Sequence, residues 1–119
     1  MQRIGWNYDD PTGEKWSAVD REEAARALHV SHTRRASARK YGHPTVLKPN
    51  WSTLTLAERG EFIDLASRTF EELDRHDGDV EKVVDALARR YGVAGVKSAP
   101  RYFRDRVREV TTAVGGWRP

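Results

Sequence analysis

Arg101, Arg104 and Arg108 stand at i, i+3 and i+7, the spacing that places three guanidinium groups on one helical face. Guanidinium groups in such a row pair with the phosphates of a polyanion or fork onto guanine edges. Lys97 lies just before them. A second basic group, Arg34, Arg35, Arg39 and Lys40, falls within the 34 residues from Ala24 to Ala57, which hold no acidic side chain at all. These eight cations are the candidate nucleic-acid-binding residues. Their chemistry is phosphate neutralisation, which weakens steeply with salt. The competing expectation is a solvated, self-paired face: Asp105 is spaced to meet Arg101 and Arg108, and Glu109 to meet Arg106.

Other constellations are less specific. His29 and His32 share a helical face and could share a metal ion, but the chain has no cysteine and no carboxylate lies close to them in sequence. His32 is therefore expected in a helix seam and His29 and His43 at the surface, with no metal and no cofactor. Asp9, Asp10 and Glu14 sit in a turn-rich stretch where such residues are ordinary. The run Asp77-Gly78-Asp79-Val80-Glu81 lacks the twelve-residue spacing of a calcium loop. There is no phosphate-binding loop, dinucleotide fingerprint, nucleophile elbow or zinc signature, so an enzyme is not expected. Trp6, Trp16 and Trp117 lie in loops or termini and are the candidate partner-interface anchors, since tryptophan concentrates at binding hot spots.

The elements that must position these residues follow from periodicity and punctuation. At 119 residues the chain is read as one domain, with an irregular aromatic arm over 1–19 and a helical body over 20–119. Asp20 and Glu23 form a capping-box pattern, opening a helix over about 20–41 whose inner stripe is Ala24, Ala25, Leu28 and His32. A break near His29–Ser31 is the alternative. Residues 42–53, with Pro44 and Pro49, are an extended connection in which Val46, Leu47 and Trp51 are expected to tuck inward. Thr55 and Glu58 open a helix to about 75 with the stripe Phe62, Leu65, Ala66, Thr69, Phe70 and Leu73. Asp79 caps a helix to 91 with the cleanest amphipathic spacing in the chain. Ser98, followed by Pro100, opens the last helix, to 114, seamed by Phe103, Val107, Val110 and Val114. The expected architecture is an all-α bundle of four or five helices.

Two resemblances cover parts of this plan. Glu22-Glu-Ala-Ala-Arg-Ala-Leu-His-Val-Ser31 resembles the first helix and turn of excisionase-type helix-turn-helix proteins, with His29 at the turn glycine. Residues 34–40 lack the apolar anchor of that family's second helix. Ala25 to Leu73, with Gly42-His-Pro44, Trp51, Leu54, Glu58-Arg59, Phe62 and Ala66, resembles small helical proteins of phages and actinobacteria and bacterial ryanodine-receptor-type repeats. That likeness implies one helix over 20–41 in a hairpin against 55–75, with His32 on the seam.

Sixteen arginines against five lysines suggest a GC-rich source such as an actinobacterium or its phage. No apolar run approaches a membrane span and no signal-peptide pattern opens the chain, so the cytoplasm is expected. The leading expectation is a small non-enzymatic module contacting nucleic acid through its arginines, in a phage or mobile-element setting. The alternative is a phage assembly subunit or a host-protein inhibitor or adaptor. That protein would use the acidic helix 55–75 and the terminal tryptophans, or assemble with itself through opposed patches.

Overall fold

The computed structural model describes residues 15–118, so Trp6 and most of the expected arm lie outside the described residues. Four α-helices follow one another: α1 (Ala18–Tyr41), α2 (Leu56–Arg75), α3 (Val80–Arg90) and α4 (Ala99–Ala113), with a short 3-10 turn at Trp51–Thr53. The bundle is all-α, as periodicity predicts. No helix among the described residues is long and apolar enough to cross a membrane.

Local chemistry sets the ends of the helices. The first capping box lies three residues upstream of the expected one. Ser17 Oγ accepts from the Asp20 N–H at 3.1 Å, and the Asp20 carboxylate accepts from the Ser17 N–H at 3.0 Å. Asp20 is therefore the N3 partner rather than the cap, and Arg118 holds its carboxylate from the other side at 2.9 Å. α1 then runs unbroken to Gly42, whose φ of 73° needs a residue without Cβ strain. The turn implied at His29–Ser31 by the excisionase-type likeness is not present. No glycine or proline interrupts residues 18–41, and Leu28 and His29 are both buried on the inner side. Thr55 with Glu58 and Asp79 with the Lys82 N–H cap α2 and α3 as expected. Ser98 occupies the N-cap of α4 in α conformation and its hydroxyl caps nothing.

α1 packs antiparallel to α2, with Trp16 beside Phe70 at one end and His29 beside Phe62 at the other. It is also antiparallel to α4, with Val30 and Ser31 near Arg108 and Thr112, and Arg35 further on against Glu109. α3 closes the bundle against α2 and α4. The core takes Ala24, Ala25 and Leu28 from α1, and Ala66, Phe70 and Leu73 from α2. Val83, Val84 and Leu87 of α3 and Phe103, Val107 and Val110 of α4 complete it. Burying a side chain such as Phe70 or Leu87 stabilises by about 1.5–3 kcal/mol.

Two expected partner anchors belong to this packing instead. Trp16 is 3% exposed, stacks on Phe70 at 4.4 Å and donates its indole N–H to Asp74 at 3.0 Å. It is a core residue because α2 presents both a ring and an acceptor to it. Trp117 is half-buried over Gly78, where a Cβ would come within 2.9 Å of the indole ring. Arg118 stacks on Trp16 at 4.6 Å, so the tail is fastened to the body.

Val46 is exposed rather than tucked inward, because the connection after α1 is held by its backbone. Fully buried Ser37 donates to the His43 carbonyl at 2.6 Å and accepts from the Val46 and Leu47 N–H groups at 3.1 Å each. Ser37→Ala should destabilise the protein by about 1–3 kcal/mol by leaving those groups unpaired. It should also speed proteolytic cleavage within 42–50. Urea unfolding and limited proteolysis check this; wild-type values for both would refute the tie.

Candidate nucleic-acid interface

Because α1 and α4 are antiparallel, the basic C-terminal half of α1 meets the basic N-terminal half of α4 at one end of the bundle. The two patches therefore adjoin. The eight candidate cations divide into two sets. Arg104 turns towards α3 and forks onto Glu81 at 2.9 and 2.8 Å. Arg108 pairs with Asp105 at 3.2 Å, and Arg35 lies 3.6 Å from Glu109. Arg34, Arg39, Lys40, Lys97 and Arg101 are exposed and have no carboxylate partner among the described residues. The ammonium of Lys40 lies 5.4 Å from the centre of the Tyr41 ring. The Asp105–Arg108 and Glu109–Arg106 pairs expected from helical spacing are both formed.

Sequence reasoning missed the importance of Arg106. It is 4% exposed, forks onto Glu109 with two bonds of 2.8 Å and lies 4.6 Å from the centre of the Tyr102 ring. Its three-residue spacing to both Phe103 and Glu109 was the available signal. Burial pushes the Arg35 guanidinium below its usual range; Arg106 and Arg39 add to this and Glu109 opposes it. One carboxylate thus faces a cluster of guanidinium groups.

The expected roles of the histidines are exchanged. His29 is 7% exposed, between Trp51 and Phe62 at 6.0 and 5.4 Å, while His32 is exposed one turn on with its edge towards Phe62. The connection after α1 brings Trp51 over His29, which the stripe of α1 alone does not foretell. Burial lowers the pKa of His29, against a smaller opposing effect of Glu58. Partial desolvation beside Phe62 lowers that of His32 as well, followed by repulsion from Arg35, Arg39, His29 and Arg106.

Beside these groups, a cleft runs between α1, α2 and the α3–α4 turn. One recess of about 350 Å³ is lined by His29, His32, Leu54, Glu58, Glu61, Phe62, Leu65, Tyr91 and Tyr102. The next, about 330 Å³, is lined by Leu65, Tyr91, Val93, Val96, Ser98, Ala99, Tyr102 and Phe103. They share Leu65, Tyr91 and Tyr102. Its walls come from separate helices, so no single periodicity revealed it. Tyr91 donates its hydroxyl to Asp64 at 3.0 Å, and burial followed by that bond raises its pKa. No group of three or more His, Asp or Glu side chains among the described residues is placed to hold a metal ion.

Comparison with protein-family models, curated proteins and solved structures finds no match.

The lowered histidine pKa values predict a pH dependence of definite sign. Above the ordinary value of 6.5, His29 and His32 are neutral in both folded and unfolded chains. Below it the unfolded chain takes up protons first, so stability should fall as pH drops from about 7 towards 5. His29→Gln should flatten that slope. Urea midpoints across this range, with histidine NMR titration, provide the check; a His29 titrating at or above 6.5 would contradict the assignment.

Proposed function

We propose that this protein is a non-enzymatic nucleic-acid-binding module. It holds the sugar–phosphate backbone against the end of the bundle where α1 stops and α4 starts. The observation that carries this reading is the sorting of the cations. Arg35 and Arg104 reach carboxylates elsewhere on the bundle and Arg108 pairs with Asp105 at the surface, whereas Arg34, Arg39, Lys40, Lys97 and Arg101 stand exposed towards the end where α1 stops and α4 starts, without carboxylate partners among the described residues. Unpaired cations held on helices at a common end form a positive field with a fixed shape, and such a field attracts a polyanion. The phage or mobile-element setting and the cytoplasmic location suggested by composition are kept as part of this proposal.

The protein-partner alternative has less support. Trp16 is buried and Trp117 packs over Gly78, so neither is presented as an anchor. Several acids of α2 are also engaged, Asp64 with Arg68 and Glu71 and Glu72 with Arg90.

The test is fluorescence anisotropy with labelled mixed-sequence DNA, both single-stranded and duplex, at about 50 and 200 mM salt. Low-salt binding in the micromolar range or tighter should weaken at least tenfold at the higher salt. Replacing Arg34, Arg39 and Arg101 together by alanine should weaken it and lower the log–log salt slope by up to about 3, near one per lost phosphate contact. Arg104→Ala, whose partner is Glu81, should change affinity much less. Absence of binding to either DNA at low salt would refute the proposal.

A further inference from the structure

The aromatic cleft adds a feature that backbone binding alone does not use. Tyr102 is 45% exposed and Tyr91 37%, and both stand at its mouth. Neither ring is loose. Tyr102 meets Phe103 edge-on at 5.1 Å and has the Arg106 guanidinium 4.6 Å from its centre, with Arg106 itself locked by Glu109. Tyr91 stacks on Phe103 at 5.8 Å, lies under Arg68 at 5.1 Å and is tied through its hydroxyl to Asp64. Two braced rings flanking an apolar recess of about 330 Å³ form a preorganised stacking platform, within the size range of small-ligand sites.

Exposed cations without carboxylate partners among the described residues neighbour the lining residues in the chain. Lys97 stands between Val96 and Ser98, both of which line the recess, and Arg101 immediately precedes Tyr102. Arg39 follows the His32–Arg35 stripe of α1 by one further turn, towards the same end. Glu58 and Glu61 line the opposite, His29 end of the cleft and disfavour phosphate there. An apolar slot whose lining residues have exposed cations as chain neighbours matches a nucleobase joined to a phosphate chain. In a duplex the base faces are stacked inside and cannot enter such a slot.

We infer that the recess beside Tyr102 receives an unstacked base, so that the preferred ligand is single-stranded nucleic acid. This rests on the backbone-binding reading above. Stacking on a tyrosine face is tolerant of sequence, because every base offers a π-face.

The experiment compares three labelled probes of about twelve nucleotides by anisotropy at about 50 mM salt: a single strand, a duplex of the same length and an abasic strand with the same backbone. The single strand should bind most tightly. Tyr102→Ala should weaken its binding roughly five- to hundredfold while leaving the abasic strand unaffected, and Tyr102→Phe should retain wild-type affinity. Val96→Trp, at an exposed position, should fill the recess and weaken the single strand in the same way. Duplex or abasic binding as tight as that of the single strand would overturn base stacking while leaving backbone binding intact. Failure of all three probes would overturn both.

Discussion

Ala24, Ala25 and Leu28, each 1% exposed or less, anchor the N-terminal half of α1 in the core beside α2 and α4, and the rest of the molecule is arranged around that contact. Two alanines leave little side chain between the helices, so partners can approach closely there. Ala66 on α2 is equally buried. Trp16 on Phe70 fixes the register at one end and His29 beside Phe62 at the other. α2 begins at Leu56, so past His32 the last turns of α1 leave it behind. Their neighbours are the Ser37-tied connection and the start of α4. That overhang is why Arg34, Arg39 and Lys40 stand in solvent.

The same geometry distributes the charges. Acids are concentrated on α2 and α3 and at the start of α1, where body-facing arginines meet them: Arg68 on Asp64, Arg104 on Glu81, Arg118 on Asp20. Glu72 is the costliest of these carboxylates, at 1% exposure, because an ion leaves water only with close partners. Arg90 at 3.1 Å and Arg75 at 3.4 Å meet its Oε2, whereas its buried Oε1, 3.4 Å from His76, has no hydrogen-bond partner among the described residues. The exposed pairs, such as Arg68–Asp64 and Arg104–Glu81, stabilise little. Their larger effect is to engage several arginines of the body with carboxylates, while Arg34, Arg39, Lys40, Lys97 and Arg101 stay without one among the described residues.

What the sequence made legible was local. The stripe of α2, the Thr55–Glu58 box, the Asp79 cap and the inner stripe Val83, Val84, Leu87 and Ala88 of α3 depend on residues within about a turn of one another and stand as read, while Val80 and Tyr91 at the two ends of the α3 spacing are exposed. The first box lies at Ser17 because Asp74, which accepts from Trp16, and Arg118, both distant in sequence, secure that end. His29 and His32 exchanged roles for the same kind of reason: Trp51 arrives from a connection whose path no helical period encodes. Trp16 and Trp117 were open to reading as partner anchors because no local pattern shows what a loop tryptophan packs against. The eight cations were legible as types and spacing. Which of them lack partners, and that a cleft opens beside them, became visible only with the helices docked.

The start of α4 runs against the usual electrostatics of a helix. Its first turn carries no acidic residue, Ser98 offers no hydroxyl cap, and Lys97 and Arg101 place positive charge at the positive end of the helix dipole. Each such cation costs about 0.3–1 kcal/mol at low ionic strength. The end of α1 is the reverse, since Arg39 and Lys40 complement the negative end of their helix and are stabilised there. α1 therefore gains by carrying its cations to this corner, whereas α4 holds its own at a cost. The start of α4 thus breaks a local rule, and such a departure is where function is expected to override stability. Phosphate at that corner would offset the penalty at α4, so the bound state would be electrostatically more consistent than the free one.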